Sequence, residues 1–324
     1  MAKPAIYIDG QEGSTGLRIR ELLGDRDDID LRLIPESERK ETEIRASFLR
    51  AADLAILCLP DDAAAEAIEL ASGADTRIID TSTARRTHHD WVYGLPELEP
   101  AQREAIRTAD RVANPGCYPV GFILAVRPLI KAGILPAGVP LTVNAVSGYS
   151  GGGRRMIEAY QGAPASRKAA GDAPLPLALY NLDSPHKHVA EMQKFSLTRH
   201  PPIFVPSVDH TYSGMLVCTP IPAANLVSTA TAESICSVWK EQYCGEPFVR
   251  VISPGEASAQ LRDGRFLDLG EANCTNRVEL FAFGDDRGVV LVGRQDNLGK
   301  GASGNAVQCM NLMLGFEESK GLAS

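Results

Sequence analysis

Ala5-Ile-Tyr-Ile-Asp9 is a short β-rich run, broken at once by Gly10-Gln-Glu-Gly13-Ser-Thr-Gly16. Behind the glycines, apolar residues at 17, 19, 22 and 23 recur at helical spacing and stop at Gly24, which predicts a helix over 17–23. Asp30 to Ile34 reads as a second strand. Ala55 to Leu59 is a nearly continuous apolar run closed by Pro60, the form taken by a strand covered on both faces. Ala63 to Ala71 is built of strong helix formers, and Arg77-Ile-Ile-Asp80 predicts another buried strand. Strand, glycine turn, helix and strand, with further alternation, predict a parallel sheet with helices on both faces.

The pattern changes near Asn114. Val112-Ala-Asn-Pro-Gly-Cys117-Tyr-Pro119 is a turn that leads into a mostly apolar helix, Val120 to Ile130. Strands with long connections follow at 141–146, 204–205, 215–219, 248–252, 278–283 and 289–292, which predicts an α+β domain with a mixed or antiparallel sheet. Gly162 to Pro176, rich in Ala, Gly, Pro and Ser, reads as an exposed loop. Gly301 to Leu314 returns to helix, with Ala302, Ala306, Met310 and Met313 on one face. Such a helix can pack back on the first domain, so the expected division is 1–116 with 301–324, and 117–300.

A length of 324 residues suits two domains. With 44% hydrophobic and 23% charged residues, a large core is expected rather than disorder. The net charge of −8 removes any global basic footprint for nucleic acid. No apolar run reaches the ~18 residues a membrane span needs, and MAKPAIYIDG lacks the form of a signal peptide. Seven cysteines without a CxxC pair argue against a disulfide framework or zinc site, and for a reducing, cytoplasmic setting.

Gly10, Gly13, Ser14, Thr15 and Gly16 stand where a dinucleotide fingerprint belongs, after the first strand and opening the first helix. The spacing is GxxGxxG rather than GxGxxG, and the same glycines also suit a purely structural turn. Glu36 lies about where a ribose-binding acid sits and favours NAD; Arg39 and Lys40 follow and suit a 2′-phosphate, favouring NADP. Cys117 follows Asn-Pro-Gly at a helix start, where the dipole and open N–H groups stabilise a thiolate. It is the candidate nucleophile. Cys58, Cys218 and Cys309 read as small buried hydrophobes. His186-Lys-His188 precedes a helical stretch and offers a proton shuttle; no third metal ligand accompanies the pair, and no metal is expected. His88, His89, His200 and His210 read as exposed. Arg85, Arg86, Arg154 and Arg155 stand in Ser/Thr/Gly-rich surroundings that suit carboxylate or phosphate capture, and the Ser147-Gly148 run adds backbone N–H groups.

Taken in order, several motifs resemble N-acetyl-gamma-glutamyl-phosphate reductase, and in particular its shorter members. They are Gly10-x-x-Gly13-x-x-Gly16, Tyr93-Gly-Leu-Pro-Glu97, Ala113-Asn-Pro-Gly-Cys117-Tyr-Pro119, Ser147-Gly148 through Arg154, His186-Lys-His188-x-x-Glu191 and Asp296-Asn-Leu-x-Lys300-Gly-Ala302 on to Asn311. They span nearly the whole chain. The resemblance implies an NADPH-dependent enzyme of arginine biosynthesis, with a Rossmann-like domain and a catalytic and oligomerisation domain. It implies attack by Cys117 on N-acetyl-L-glutamyl 5-phosphate, a thioester, and reduction to the semialdehyde. His188 or His186 is the acid/base; Ala190 stands where longer members usually carry Pro, which leaves the two histidines open. The implied cofactor residues are Gly10, Gly13, Ser14, Thr15, Gly16, Arg39, Lys40, Pro60, Ser82 and Asn297. The implied substrate and phosphate residues are Arg85, Arg86, Asn114, Ser147, Gly148, Arg154 and Glu191. A homodimer or homotetramer is expected. The alternatives are a semialdehyde dehydrogenase acting on aspartyl or aminoadipyl phosphate, and a nucleotide-binding scaffold that lacks the chemistry.

Overall fold

The computed structural model describes residues 2–162, 175–183, 186–227 and 230–324. Most of the loop expected at 162–176 therefore lies outside the described residues. The chain divides into two compact units: Met1–Gly116 with Ala302–Ala323, and Cys117–Gly301 with Ser324.

The first unit alternates strand and helix: β1 (Ala5–Asp9), α1 (Ser14–Leu23), β2 (Asp30–Arg32), α2 (Thr42–Ala51), β3 (Leu54–Leu57), α3 (Asp61–Leu70), β4 (Arg77–Asp80), β5 (Val92–Tyr93), α4 (Gln102–Thr108) and β6 (Arg111–Ala113). All strands are parallel, in the order β2-β1-β3-β4-β6-β5. The apolar strand β3 is buried along its whole length because helices cover both faces. Ile6, Ile8, Leu54 and Ile56 face one core, and Tyr7, Ala55, Leu57 and Ile78 face the other. α1 begins three residues earlier than the apolar spacing predicts, because its first turn is Ser-Thr-Gly and carries no apolar mark.

The second unit contains α5 (Cys117–Lys131), β7 (Thr142–Gly148), α6 (Gly153–Gln161), β8 (Ala178–Leu179), α7 (Val189–Ser196), β9 (Ile203–Asp209), β10 (Met215–Pro222), α8 (Ala232–Gln242), β11 (Val249–Ile252), α9 (Pro254–Ala257), β12 (Val278–Asp285) and β13 (Gly288–Gln295). Its sheet is mixed, in the order β11-β12-β13-β10-β7-β9-β8. α5 is buried along most of its length and packs on β13 and β10. The approach is closest at Gly121, whose backbone meets Gly293: a Cβ on Gly293 would lie 2.9 Å from the Gly121 Cα. The chain then returns to the first unit with α10 (Gly304–Met313). A π-helical turn, Gly299–Ser303, precedes this helix, so regular α-helix starts three residues later than predicted. α10 buries all ten of its residues, and Ala306, Met310 and Met313 join the Ile6 core.

Candidate active site

In the first unit, winding reverses between β1 and β3, and open α/β sheets bind ligands at the carboxyl ends of the strands at such a point. Gly10 lies at the end of β1 with φ +87°, and a Cβ there would overlap the Cys58 carbonyl oxygen. A Cβ at Gly16 would overlap the Gly10 carbonyl oxygen. Both glycines are dictated by the chain's approach to itself. Gly13 differs: it has φ −74°, and a Cβ would stand 3.5 Å from the Gly10 oxygen, an ordinary contact. Gly13 is the N-cap of α1, and no side chain caps the first turn. Ser14 and Thr15 open that turn, and the Thr15 carbonyl accepts from Ser303 Oγ at 3.1 Å.

The turn is held by residues that carry no motif. Gln11 donates to the Ile34 carbonyl at 3.0 Å and accepts from the Ile34 N–H at 3.2 Å. Asp9 accepts from Arg45 at 2.9 Å. Pro60 is the exposed N-cap of α3. Ser82 is buried and gives its N–H and hydroxyl to Asp80, at 2.8 and 2.7 Å. Burial pushes the Asp80 carboxyl up, and the Ser82 bonds pull it back. Glu36 and Arg39, which favour opposite cofactors, lie 3.5 Å apart as an ion pair, Glu36 exposed and Arg39 half-buried, and Lys40, next in sequence, is exposed.

The two neighbouring arginines separate. Arg86 is buried and donates to the carbonyls of Asn114 at 2.9 Å and Thr81 at 3.0 Å. Arg85 is half-buried, and its Nε has no hydrogen-bond partner among the described residues. Asn114 is also spent internally: it donates to Ala302 O at 3.0 Å and accepts from Asn305 at 2.7 Å. Of the two arginines expected to offer themselves to an anion, Arg86 uses its guanidinium to hold the backbone of the turn.

In the second unit, Cys117 is half-buried at the first position of α5. Next to it, Tyr118 packs its ring against His186 (5.9 Å), His188 (5.9 Å) and Phe204 (5.0 Å). The hydroxyls of Tyr118 and Tyr180 are 2.9 Å apart. Burial raises both phenols, Tyr180 to about 12, and the negative charge available to Cys117 adds to both shifts. At neutral pH the two tyrosines keep their protons beside the sulfur. His186 and His188 are buried, with ring centroids 4.6 Å apart. His186 Nδ1 accepts from the His188 N–H at 3.2 Å, which assigns the His186 proton to Nε2. His188 is the N-cap residue of α7, and Glu191 in the first turn is buried.

In the Ser-Gly run three of the expected N–H groups are already used. The N–H groups of Gly148, Tyr149 and Ser150 go to the carbonyls of Gly214, Thr211 and Tyr212 at 2.9 Å, so this backbone does not offer them to an anion. Ser147 is buried, and its hydroxyl donates to the Gly148 carbonyl at 3.0 Å. Arg154 is exposed and paired with Glu158 at 2.7 Å. Asn297 accepts from Gly214 N and donates to Ser150 Oγ, both at 2.9 Å. None of the seven cysteines forms a disulfide. Burial raises the Cys58 thiol to about 12. Sequence reasoning assigned no role to Tyr118, Tyr180 or Phe204. Tyr118 stood inside the cysteine motif, but nothing in the order of residues brings Tyr180 or Phe204 to it.

Comparison with known proteins matches residues 10–109 to the semialdehyde dehydrogenase NAD binding domain and 117–297 to the semialdehyde dehydrogenase dimerisation domain. The chain is 49% identical to an N-acetyl-gamma-glutamyl-phosphate reductase 2 of Nostoc sp. over 324 residues, 99% of this chain and all of that one. It is 50% identical to the N-acetyl-gamma-glutamyl-phosphate reductase of Trichormus variabilis over the same shares. It is 49% identical to that of Brucella anthropi over 97% of this chain and 99% of the other. Among solved structures, aspartate semialdehyde dehydrogenase II of Vibrio cholerae, complexed with ASA, shares the fold with TM-score 0.71 at 18% identity, covering 97% and 99% of the two chains. The NADP-bound aspartate semialdehyde dehydrogenase of Candida albicans does so at TM-score 0.63 and 14% identity, over 97% and 99%.

Proposed function

The chain belongs to the N-acetyl-gamma-glutamyl-phosphate reductases of the semialdehyde dehydrogenase family, and we propose that it performs their reaction through a Cys117 thioester with NADPH. The reaction is the reductive dephosphorylation of N-acetyl-L-glutamyl 5-phosphate to the 5-semialdehyde. The observation that carries the thioester is the placement of Cys117 at the start of a 15-residue helix, next to Tyr118, whose ring packs against both buried histidines and whose hydroxyl meets that of Tyr180.

The first unit fits a dinucleotide. Gly13 leaves space that the protein's own packing does not demand, at an uncapped helix start and a switch point of the sheet. Gly10, Gly13, Ser14, Thr15 and Gly16 would hold the pyrophosphate, with Pro60, Ser82 and Asn297 as further cofactor residues. Arg39 and Lys40 support the choice of NADP over NAD, since Arg39 already draws Glu36 to itself. When bound, the nicotinamide supplies a hydride.

The protein's own groups do the rest. Cys117 Sγ attacks the acyl-phosphate carbon, the C–O bond to phosphate breaks, and the acyl group is held as a thioester. Arg85 is assigned to the departing phosphate because its buried Nε has no hydrogen-bond partner among the described residues, and Arg154 to the α-carboxylate. After reduction, His188 protonates the thiohemiacetal oxyanion and then assists collapse to aldehyde and thiolate. His186 supports this choice, since its Nδ1 is used to hold the His188 backbone. Glu191, buried in the first turn of the same helix, is kept as a substrate residue.

The match to a dimerisation domain marks an oligomer. The edge formed by β8 and β9 exposes Leu177, Leu179, Leu182 and Ile203, each at least half accessible, and supports a homodimer or homotetramer built through the second unit. Among the described residues no helix is long and apolar enough to cross a membrane.

The deciding experiment is the phosphate-dependent reverse reaction with N-acetylglutamate semialdehyde, aspartate semialdehyde and NADP or NAD. Preference for the acetylated substrate and NADP is expected. Equal or better use of aspartate semialdehyde would transfer the chain to the alternative chemistry, and no turnover of either would leave the scaffold reading.

A further inference from the structure

Three buried amides in this protein, those of Gln11, Asn114 and Asn297, are used at both ends. Gln295, the last residue of β13, is different. It is fully buried and lies in register between Met215 of β10 and Val278 of β12, two apolar positions. Its Nε2 donates to the Cys117 carbonyl oxygen at 2.5 Å and approaches Met215 Sδ at 3.7 Å. Its Oε1 has no hydrogen-bond partner among the described residues. An unpaired buried acceptor is a standing cost to the fold, so stability alone favours an apolar side chain here.

The carbonyl it reaches does not lack a donor by position. A first-turn carbonyl normally accepts from the N–H four residues on, here Gly121. Gln295 adds a bond from the sheet and ties the Cys117–Tyr118 peptide to β13. The same segment bounds the residue a second time. The N–H groups of Gly299 and Gly301 both donate to Asp296 O at 3.2 Å, and a Cβ on Gly301 would stand 2.8 Å from the Cys117 Cβ. Cys117 is thus fixed at its carbonyl and fenced at its Cβ by residues 295–301.

We propose that Gln295 is the positioning residue of Cys117, holding the peptide that aims its sulfur. The inference rests on Cys117 being the nucleophile. An interaction that sets attack geometry acts on kcat and leaves substrate binding nearly untouched.

Two variants test it in the full-length enzyme. Gln295→Met keeps the volume and removes the donor. Its kcat should fall roughly 10- to 100-fold with KM for the acyl phosphate within about twofold, and iodoacetamide should modify Cys117 at least about fivefold more slowly at fixed pH. Gln295→Glu can donate to the same carbonyl only while protonated. Its kcat should fall as pH rises through that carboxyl's titration, a limb the wild type lacks. Wild-type kcat in Gln295→Met overturns the proposal, as does lost turnover with unchanged alkylation of Cys117. If Gln295→Met does not fold, a Gln295→Glu profile parallel to the wild type overturns it instead. Normal turnover by Cys117→Ser would show that the nucleophile assignment itself has failed, an outcome separate from these.

Discussion

The Tyr243 hydroxyl donates to the Leu124 carbonyl oxygen at 2.7 Å, and Leu124 stands four residues before Pro128 in α5. Proline has no N–H, so this buried carbonyl is deprived of its helical donor and receives one from Tyr243, just past the end of α8, instead. Trp239 gives its indole N–H to the neighbouring Ala125 carbonyl at 2.9 Å. Tyr243→Phe should therefore cost about 1–3 kcal/mol in chemical denaturation. Adding Pro128→Ala restores an N–H and should recover more stability in the Tyr243→Phe background than in the wild type. Equal increments in both backgrounds would show that the two residues are not coupled.

Cys117→Ser should lower turnover by several orders of magnitude with the circular dichroism spectrum unchanged. Mass spectrometry after brief iodoacetamide treatment at slightly acidic pH should find Cys117 modified first. Cys58, whose thiol burial raises to about 12, and the buried Cys309 should lag far behind. Early modification of Cys58 would contradict this ranking.

The glycine turn should split on substitution. Gly10→Ala must adopt φ +87° against the Cys58 carbonyl and should lower the melting temperature or prevent folding. Gly13→Ala meets no such obstacle and should fold normally while raising the KM for NADPH. An unchanged KM in Gly13→Ala would mean that the open space there holds no cofactor.

Arg85→Gln should raise the KM for the acyl phosphate, or for phosphate in the reverse direction, by tenfold or more on the order of a lost charged contact, with stability unaltered. Arg86→Gln should instead cost about 3 kcal/mol of stability, since it releases the Asn114 and Thr81 carbonyls. Kinetics and denaturation of both variants, measured side by side, distinguish the roles.

Asp28 gives a pH dependence. Arg26 grips its carboxylate through two bonds of 2.7 Å and Lys320 lies 3.0 Å away, which holds the carboxyl well below the usual range. The folded value is depressed, so the contribution is full above the unfolded value of about 4 and is lost as pH falls below it. Asp28→Asn should lower the melting temperature at neutral pH and flatten its decline in acid. An acid limb identical to the wild type would remove Asp28 from the account.

The parallel sheet was legible because β3 is an unbroken apolar run and β1 and β4 carry apolar pairs or longer runs closed by Asp. α2 and α4 escaped notice: like α3 each buries two residues, but neither has the run of alanines that marks α3 as a helix former. The nucleophile candidate was visible from its turn and helix start, which are local. The tyrosine and phenylalanine around the histidines were not, because β9 and the segment after β8 bring them in from distant sequence. The use of the N–H groups of residues 148–150 was hidden for a simple reason. Glycine and serine advertise free N–H groups, but sequence does not reveal that residues 211–214 take them up.

The last helix has a consequence for how the protein is made. Ala306, Val307, Cys309, Met310, Leu312 and Met313 fill the same core as Ile6, Ile8 and Ile56, yet they leave the ribosome only after the whole of residues 117–301. At ~5–20 residues per second the early strands wait roughly 10 to 40 s with one apolar face uncovered. The nascent nucleotide domain is a natural client for chaperones during that interval, and a translation stall near residue 301 would release an aggregation-prone half-built fold.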